Sequence, residues 1–450
     1  MLKQNVSSAA FHNSKERFDP PKCHENTREA VLTKIMDWIM SRDPDTRDKL
    51  IMWLRGAAGA GKSAIAQTLA ELCEEQNLIL ASYFFGRLDS TRNHPRALIA
   101  TIAYQMYTNI PGTQAHILEA IDNDHLIFER NLVTQLATLI HQPLQKLMQV
   151  GTAPISQRII IIDGLDECDG EDTQREVINA LFHAVNQLRV PIIFFVASRP
   201  ELNITTLFDC DTSNVLVRIS MDDDYRNDGD IERFLRDKFG HIQKTHRLKR
   251  YLPPTWPGNK TIKILVTKSS GQFIYAATVI KYVESPRGQP NLRLQIIQGL
   301  RPPQNDKDMP FAELDRLYTH ILSALEDVAL VLEVLRFVIS IGASSHSFHG
   351  RKQAIIHCSL RHLECIYELD AGAIETLLCD LGSLVDIVEN GNSQSIKILH
   401  ASFQDFLADP ARSKEYYRDP TQVILDQLKR CFTFITSKDA SYFDIIPDRF

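Results

Sequence analysis

The chain has 450 residues, 44% of them apolar and 24% charged, with a formal net charge of −6. That is room for roughly two to four domains with sizeable cores, and the charge gives no general drive toward nucleic acid or acidic membrane surfaces. No apolar run approaches the ~18 residues of a membrane span, and no apolar segment follows the N-terminal MLKQNVSSAAFHNSKER, so neither a spanning helix nor a secretory signal is expected and a cytoplasmic setting is.

Residues 1–22 are polar and aperiodic and read as a loose tail. From Cys23 to Met40 the pattern turns helical, with Val31, Ile35, Trp38 and Ile39 on one side. The turn-rich stretch 41–49 leads into Leu50–Ser63, LIMWLRGAAGAGKS. This is an apolar run followed by G-x-x-x-x-G-K-S, placed where a strand turns into a helix. Gly56, Ala57, Ala58, Gly59, Ala60 and Gly61 allow a loop close enough for successive N–H groups, on through Lys62, Ser63 and Ala64, to face phosphate oxygens. Lys62 would reach the β- and γ-phosphates, and Ser63 would offer its hydroxyl to Mg²⁺. The bland alternative is a flexible Ala/Gly loop. The apolar strand before it and the helical spacing of Ile65, Leu69 and Leu72 after it speak against that reading.

Further strand-like runs follow at Ala81 to Phe85, Arg158 to Ile162, Ile192 to Val196 and Val215 to Ile219, separated by helical stretches such as Ala97 to Tyr107 and Asp172 to Leu188. Strands that are apolar throughout, alternating with helices, predict an α/β fold: a parallel sheet with helices on both faces and a ligand site at the carboxyl ends of the strands. One strand ends Asp163-Gly164-Leu165-Asp166-Glu167. Asp163 there would hold Mg²⁺, and Asp166 or Glu167 would orient or deprotonate the attacking water; the plainer reading is a solvated acidic turn. Another strand ends Ser198-Arg199-Pro200, from which Arg199 would reach a γ-phosphate if it is not simply a surface arginine.

Beyond Ser220 helical patterns take over, at 230–242 and 262–283, the second broken at Ser269-Ser270-Gly271. A Pro/Gly-rich connector at 285–310 reads as a module boundary, and the pieces on either side of Asn390-Gly391 read as a hairpin in a mostly helical unit. His357, Cys358, His362 and Cys365 have metal-ligand chemistry, but four positions within nine residues of one helix cannot converge on one ion. The eight cysteines lack C-x-x-C pairs and fit thiols of a reducing compartment.

The three motifs at 56–63, 159–167 and 196–200 together resemble the NACHT family, within the STAND class of P-loop signalling NTPases, and more narrowly its fungal, nephrocystin-type, NLR-like group. The resemblance extends to Cys23–Arg28, where Thr27 and Arg28 would sit near the adenine; to Gly271–Ala277, where related switches carry a GLPL-like motif; and to Leu399–Leu407, where His400 would touch the β-phosphate of ADP. It implies a helical segment at 23–49, a nucleotide-binding domain at 50–221, a helical domain at 222–300, a winged-helix domain at 301–415 and a helical extension at 416–450. It also implies ATP or ADP with Mg²⁺ as ligands, with Lys62, Asp166, Glu167 and Arg199 serving slow hydrolysis. Self-association in the ATP state is expected, and a signalling role of the innate-immunity or programmed-cell-death type.

Partners of effector or sensor kind are not legible, because neither module is encoded in these residues. No membrane or nucleic-acid partner is expected. GTP stays open, although Asn259-Lys260-Thr261-Ile262 lacks the aspartate that reads guanine. Two other readings also stand: a turnover ATPase of the AAA+ type, for which no trans arginine can be pointed to, and a non-enzymatic nucleotide-binding scaffold.

Overall fold

The computed structural model describes residues 1–17, 20–87, 89–149, 157–187, 190–210, 214–221, 228–286, 288–300, 311–345, 358–382, 384–390, 393–398 and 401–437. Its contacts divide the chain into two compact units, Met1–Asp237 with Gly271–Phe273, and Lys238–Ser270 with Ile274–Phe450. The first unit thus extends past the expected boundary at 221, into the helix Asp228–Thr245.

The first unit is built on a parallel sheet of five strands: β1 (Ile51–Arg55), β2 (Ile79–Phe84), β3 (Arg158–Asp163), β4 (Ile192–Ser198) and β5 (Leu216–Ser220), in the order β2-β3-β4-β1-β5. The strands are apolar throughout because both faces are covered. On one face Met52, Leu54, Phe84, Ile159, Ile161 and Phe195 pack against helices α1 (Glu29–Ile39) and α2 (Lys62–Glu75). On the other, Trp53, Tyr83, Ile160, Ile162 and Val196 pack against α3 (Leu98–Asn109) and the helices Glu171–Gln187 and Leu202–Asp209. Trp53 stacks on Phe208 at 4.5 Å and donates its indole N–H to Ser198 at 2.8 Å. Each such aromatic contributes about 1.5–3 kcal/mol by leaving water.

The register brings the three sequence motifs to one edge. Leu54 and Asp163 both lie opposite Ala197 of β4, so the ends of β1, β3 and β4 finish level and the loops after them share the carboxyl end of the sheet.

Residues 1–17 differ from the loose tail that their composition predicts. Leu2 and Ala10 are buried in the α3-side core, and Ser7 N–H donates to Thr101 at 3.0 Å. The segment then reaches the edge strand β2, where His12 N–H donates to the Ser82 hydroxyl at 3.0 Å and the His12 ring lies 2.9 Å from the same oxygen. The backbone of Ser82 is met from the other side by the Gln105 amide, which donates to its carbonyl at 2.8 Å and accepts from its N–H at 3.0 Å. An edge strand left bare invites pairing with other chains; here side chains occupy it. Composition hid this because the anchoring is mostly polar and non-local.

Among its described residues the second unit is helical apart from one antiparallel pair of strands, β6 (Val385–Asn390) and β7 (Ser393–Ile398), whose register places Asn390 opposite Ser393. The hairpin expected around Asn390-Gly391 is present, with Gly391 itself outside the described residues. Tyr318, Phe403 and Phe406 form a buried aromatic group, with the Tyr318 hydroxyl 2.7 Å from that of Ser402. Among the described residues no helix is long and apolar enough to cross a membrane.

Replacing Ser82 by alanine removes the shared partner of the His12 N–H and ring. The loss should be about 1–3 kcal/mol, seen as a lower urea midpoint with the slope unchanged. An unmoved midpoint would mean that residues 1–17 do not hold the edge.

Candidate nucleotide-binding site

The loop after β1 is shaped by its glycines and by what lies behind them. A side chain at Gly56 would meet the Cβ of Met221 at 2.8 Å, so only glycine lets the loop leave β1 beside the end of β5. Gly61 stands immediately before α2 at φ +95°, a left-handed conformation that glycine adopts freely. Ala57, Ala58 and Ala60 are buried, which makes this a packed loop rather than a flexible one. The first N–H groups of α2 follow at Lys62, Ser63 and Ala64, where a helix leaves its donors without intrahelical partners. Lys62 Nζ curls over the loop, donating to the Gly56 carbonyl at 2.7 Å and the Ala57 carbonyl at 3.0 Å.

Ser63, in the first turn of α2, stands near enough to the carboxyl of Asp163 at the end of β3 for its hydroxyl to favour the ionised form. Burial pushes the Asp163 carboxyl up to about 7; Glu167 and Asp166 push the same way, while Ser63 and the charge of Lys62 oppose them. A hydroxyl and a carboxylate brought together beside a phosphate loop are the oxygen donors that Mg²⁺ takes in such sites, and they fit that ion. The remaining acidic residues have different partners. Asp166 is buried and held at both oxygens by Arg199, whose N–H donates to one at 2.9 Å and whose Nε lies 3.1 Å from the other. It therefore ties Arg199 to the end of β3. Glu167 accepts the Arg87 N–H at 3.2 Å. Burial and then repulsion by Asp166 raise its carboxyl, against that N–H and the charges of Arg199 and Arg87.

Arg28, expected near the adenine, is buried beside the loop: its guanidinium donates to the Ala60 carbonyl and lies 4.8 Å from the Phe273 ring centroid. Its own backbone N–H donates to Asp230 at 2.8 Å. Thr27 is buried and donates to the His24 carbonyl at 2.6 Å, closing the turn before α1. His400 lies outside the described residues. In the His/Cys stretch, the Ser359 hydroxyl caps the helix Leu360–Ile366 and pairs with the His362 ring at 2.7 Å. Among the described residues no group of three or more His, Cys, Asp or Glu side chains is gathered around one point. Arg17 and Arg87, which sequence reading passed over, both stand close to the acidic motif.

A phosphate loop closing β1, an acidic end to β3, and β4 between them carrying an arginine onto that acid: these define a P-loop NTPase domain. Residues 26–199 match the family described as Nephrocystin 3, N-terminal, so this part of the chain is similar to that family. Among solved structures, the chain is similar to the Walker-type ATPase PABY2304 of Pyrococcus abyssi, at 14% identity and a TM-score of 0.48, covering 85% of this chain and 97% of that one. It is also similar to the Aeropyrum pernix ORC1 protein in complex with DNA, at 13% identity and a TM-score of 0.34, over 86% and 94% of the two chains. A third similarity is to the Thermotoga maritima RuvB Holliday junction branch migration motor, at 11% identity and a TM-score of 0.32, over 89% and 99%. No curated protein matches the sequence.

The raised Asp163 carboxyl sets a pH dependence. The folded state binds that proton more tightly than the unfolded chain, so the stabilisation is complete below about pH 4, the unfolded value, and is lost as the pH rises through about 7. In EDTA the parent should therefore lose stability across this window. Asp163→Asn should flatten the slope and be more stable at pH 8 by roughly 2–4 kcal/mol. Equal slopes in urea titrations of the two proteins would remove Asp163 as the source.

Proposed function

We propose that the chain is a nucleotide-dependent switch that binds ATP or ADP with Mg²⁺ and hydrolyses slowly. The observation that carries nucleotide binding is a packed phosphate loop with Lys62 folded over it, at the sheet edge where β3 ends in Asp163. On this reading the N–H groups of residues 56–64 and Lys62 hold the phosphates, and Ser63 and Asp163 hold the metal. Magnesium, when bound, supplies charge neutralisation at the phosphates. Glu167 orients or deprotonates water, and Asp166 keeps Arg199 aimed at the terminal phosphate.

The switch reading is supported by the attachment of Arg199. Tied through both side chain and backbone to Asp166, it links the presence of a terminal phosphate to the end of β4. A ligand shifts an equilibrium only by its difference in affinity for two states, and an arginine that meets ATP and not ADP is one source of such a difference. Self-association of the ATP form and a signalling role of the NLR-like kind belong to this reading, which rests there on the sequence resemblance. So do the winged-helix assignment and the part of His400 in retaining ADP. A cytoplasmic setting accords with the free thiols.

Lys62→Ala should lose the co-purifying nucleotide and weaken ATP binding by about tenfold or more, the cost of one charge-assisted contact to phosphate. Unchanged nucleotide content and assembly in that variant would favour the scaffold reading. Steady-state turnover in the ordinary enzyme range of about 1–10³ s⁻¹, without ATP-dependent association, would favour a turnover ATPase. His400→Ala is expected to release ADP faster than the parent; equal release rates would take His400 out of the switch.

A further inference from the structure

Two carboxylates of the acidic motif each meet an arginine residue at hydrogen-bond distance. Asp166 has Arg199 in direct contact, and Glu167 has Arg87, through its N–H and its charge. The third arginine comes from the segment that composition reads as a tail. Arg17 lies with its guanidinium carbon 3.7 Å from the centroid of the Phe84 ring, and Phe84 stands directly opposite Asp163 in the β2–β3 register. Residues 84 and 163 both point to the α2 face of the sheet, since Phe84, Ile159 and Ile161 share the core on that side.

The guanidinium is fixed in place. It donates to Gln67 Oε1 at 2.8 Å, and Gln67, itself buried, lies one turn of α2 beyond Ser63. Gln67 is oriented in turn by donating to the His12 carbonyl at 3.0 Å and to Glu71 at 2.8 Å. His12 is pinned to Ser82. Burial pulls the Arg17 guanidinium down to about 10, and the charge of Asp163 is the foremost influence opposing that fall.

We propose that residues 2–17 are a working part of the nucleotide site, delivering Arg17 as a cation in cis that offsets the acidic end of β3 and so favours the terminal phosphate of a bound nucleoside triphosphate. The inference rests on the nucleotide-binding reading above. Asp163, Asp166 and Glu167 repel an incoming polyphosphate. Arg199 is neutralised by Asp166 and Lys62 is shared along the loop, whereas Arg17 adds positive charge beside Asp163 from outside both motifs. Removing it should weaken anion binding, more for ATP than for ADP, because the additional phosphate approaches the acidic corner. The effect should be largest without Mg²⁺, when protein cations alone face the phosphates.

The test measures ATP and ADP affinities of the full chain by calorimetry, with EDTA and with Mg²⁺, for the parent, Arg17→Met, Arg17→Gln and Arg17→Lys. Methionine keeps an apolar stem over Phe84 and loses the charge, glutamine keeps a polar head, and lysine keeps the charge. The expected result in EDTA is ATP binding weakened about three- to tenfold in the Met and Gln variants, ADP binding weakened less, and near-parental ATP binding in the Lys variant. Melting temperatures without nucleotide identify any variant that fails to fold, and the Gln–Lys pair carries the comparison if Met does. Parental ATP affinity in the Met and Gln variants, equal loss in the Lys variant, or equal loss for ATP and ADP would overturn the proposal. A parent chain that binds neither nucleotide would instead overturn the reading on which it rests.

Discussion

Three carboxylates within five residues, Asp163, Asp166 and Glu167, close a strand of four isoleucines, and the rest of the site is arranged around keeping them there. A buried carboxylate without a partner costs several kcal/mol, and three side by side also repel one another. The structure answers with partners drawn from separate parts of the chain. Ser63 and Lys62 come from α2, Arg199 from the end of β4, Arg87 from the loop after β2, and Arg17 from the N-terminal segment. Every one of these depends on parallel strands that finish level at the carboxyl edge. A one-residue slip of β3 against β4 would turn Asp163 to the opposite face, away from Ser63.

Nearly all of the sheet was legible because its strands are buried on both sides. Runs such as Ile159–Ile162 and Ile192–Val196 satisfy a parallel strand and little else of that length. The phosphate loop and the acidic motif were legible for a related reason: backbone geometry and metal chemistry restrict which residues serve there. Strand ends shifted by at most two residues, since where a ladder stops depends on the neighbouring strand. Ser198 extends β4 because Arg55 lies opposite it.

What stayed hidden was held by polar, long-range contacts. Ser7, His12 and Arg17 reach partners 50 to 94 positions away in sequence, and no local periodicity records such bonds. Arg28 was noticed as a site residue, but its contact with the Ala60 carbonyl is a tertiary fact. The different partners of Asp166 and Glu167 were equally out of reach: the acids are adjacent in sequence, yet one meets the Arg199 side chain and the other the Arg87 N–H. Conversely, the His/Cys stretch at 357–365 looked chemically rich, and within it Ser359 and His362 serve a helix cap.

These polar contacts also bear on how the nucleotide is read. The chain from Ser82 through His12 and Gln67 to Arg17 joins the free edge of the sheet to the helix that opens with Lys62 and Ser63. Because Gln67 and Ser63 lie on the same face of α2, a displacement of residues 12–17 cannot leave the first turn of that helix electrostatically unchanged. A nucleotide that draws on Arg17 would in turn make the segment costlier to displace, since linkage acts equally in both directions. On that argument the N-terminal segment has two connected effects. It covers the β2 edge, and it makes the stability of that cover depend on which phosphate chain the loop holds.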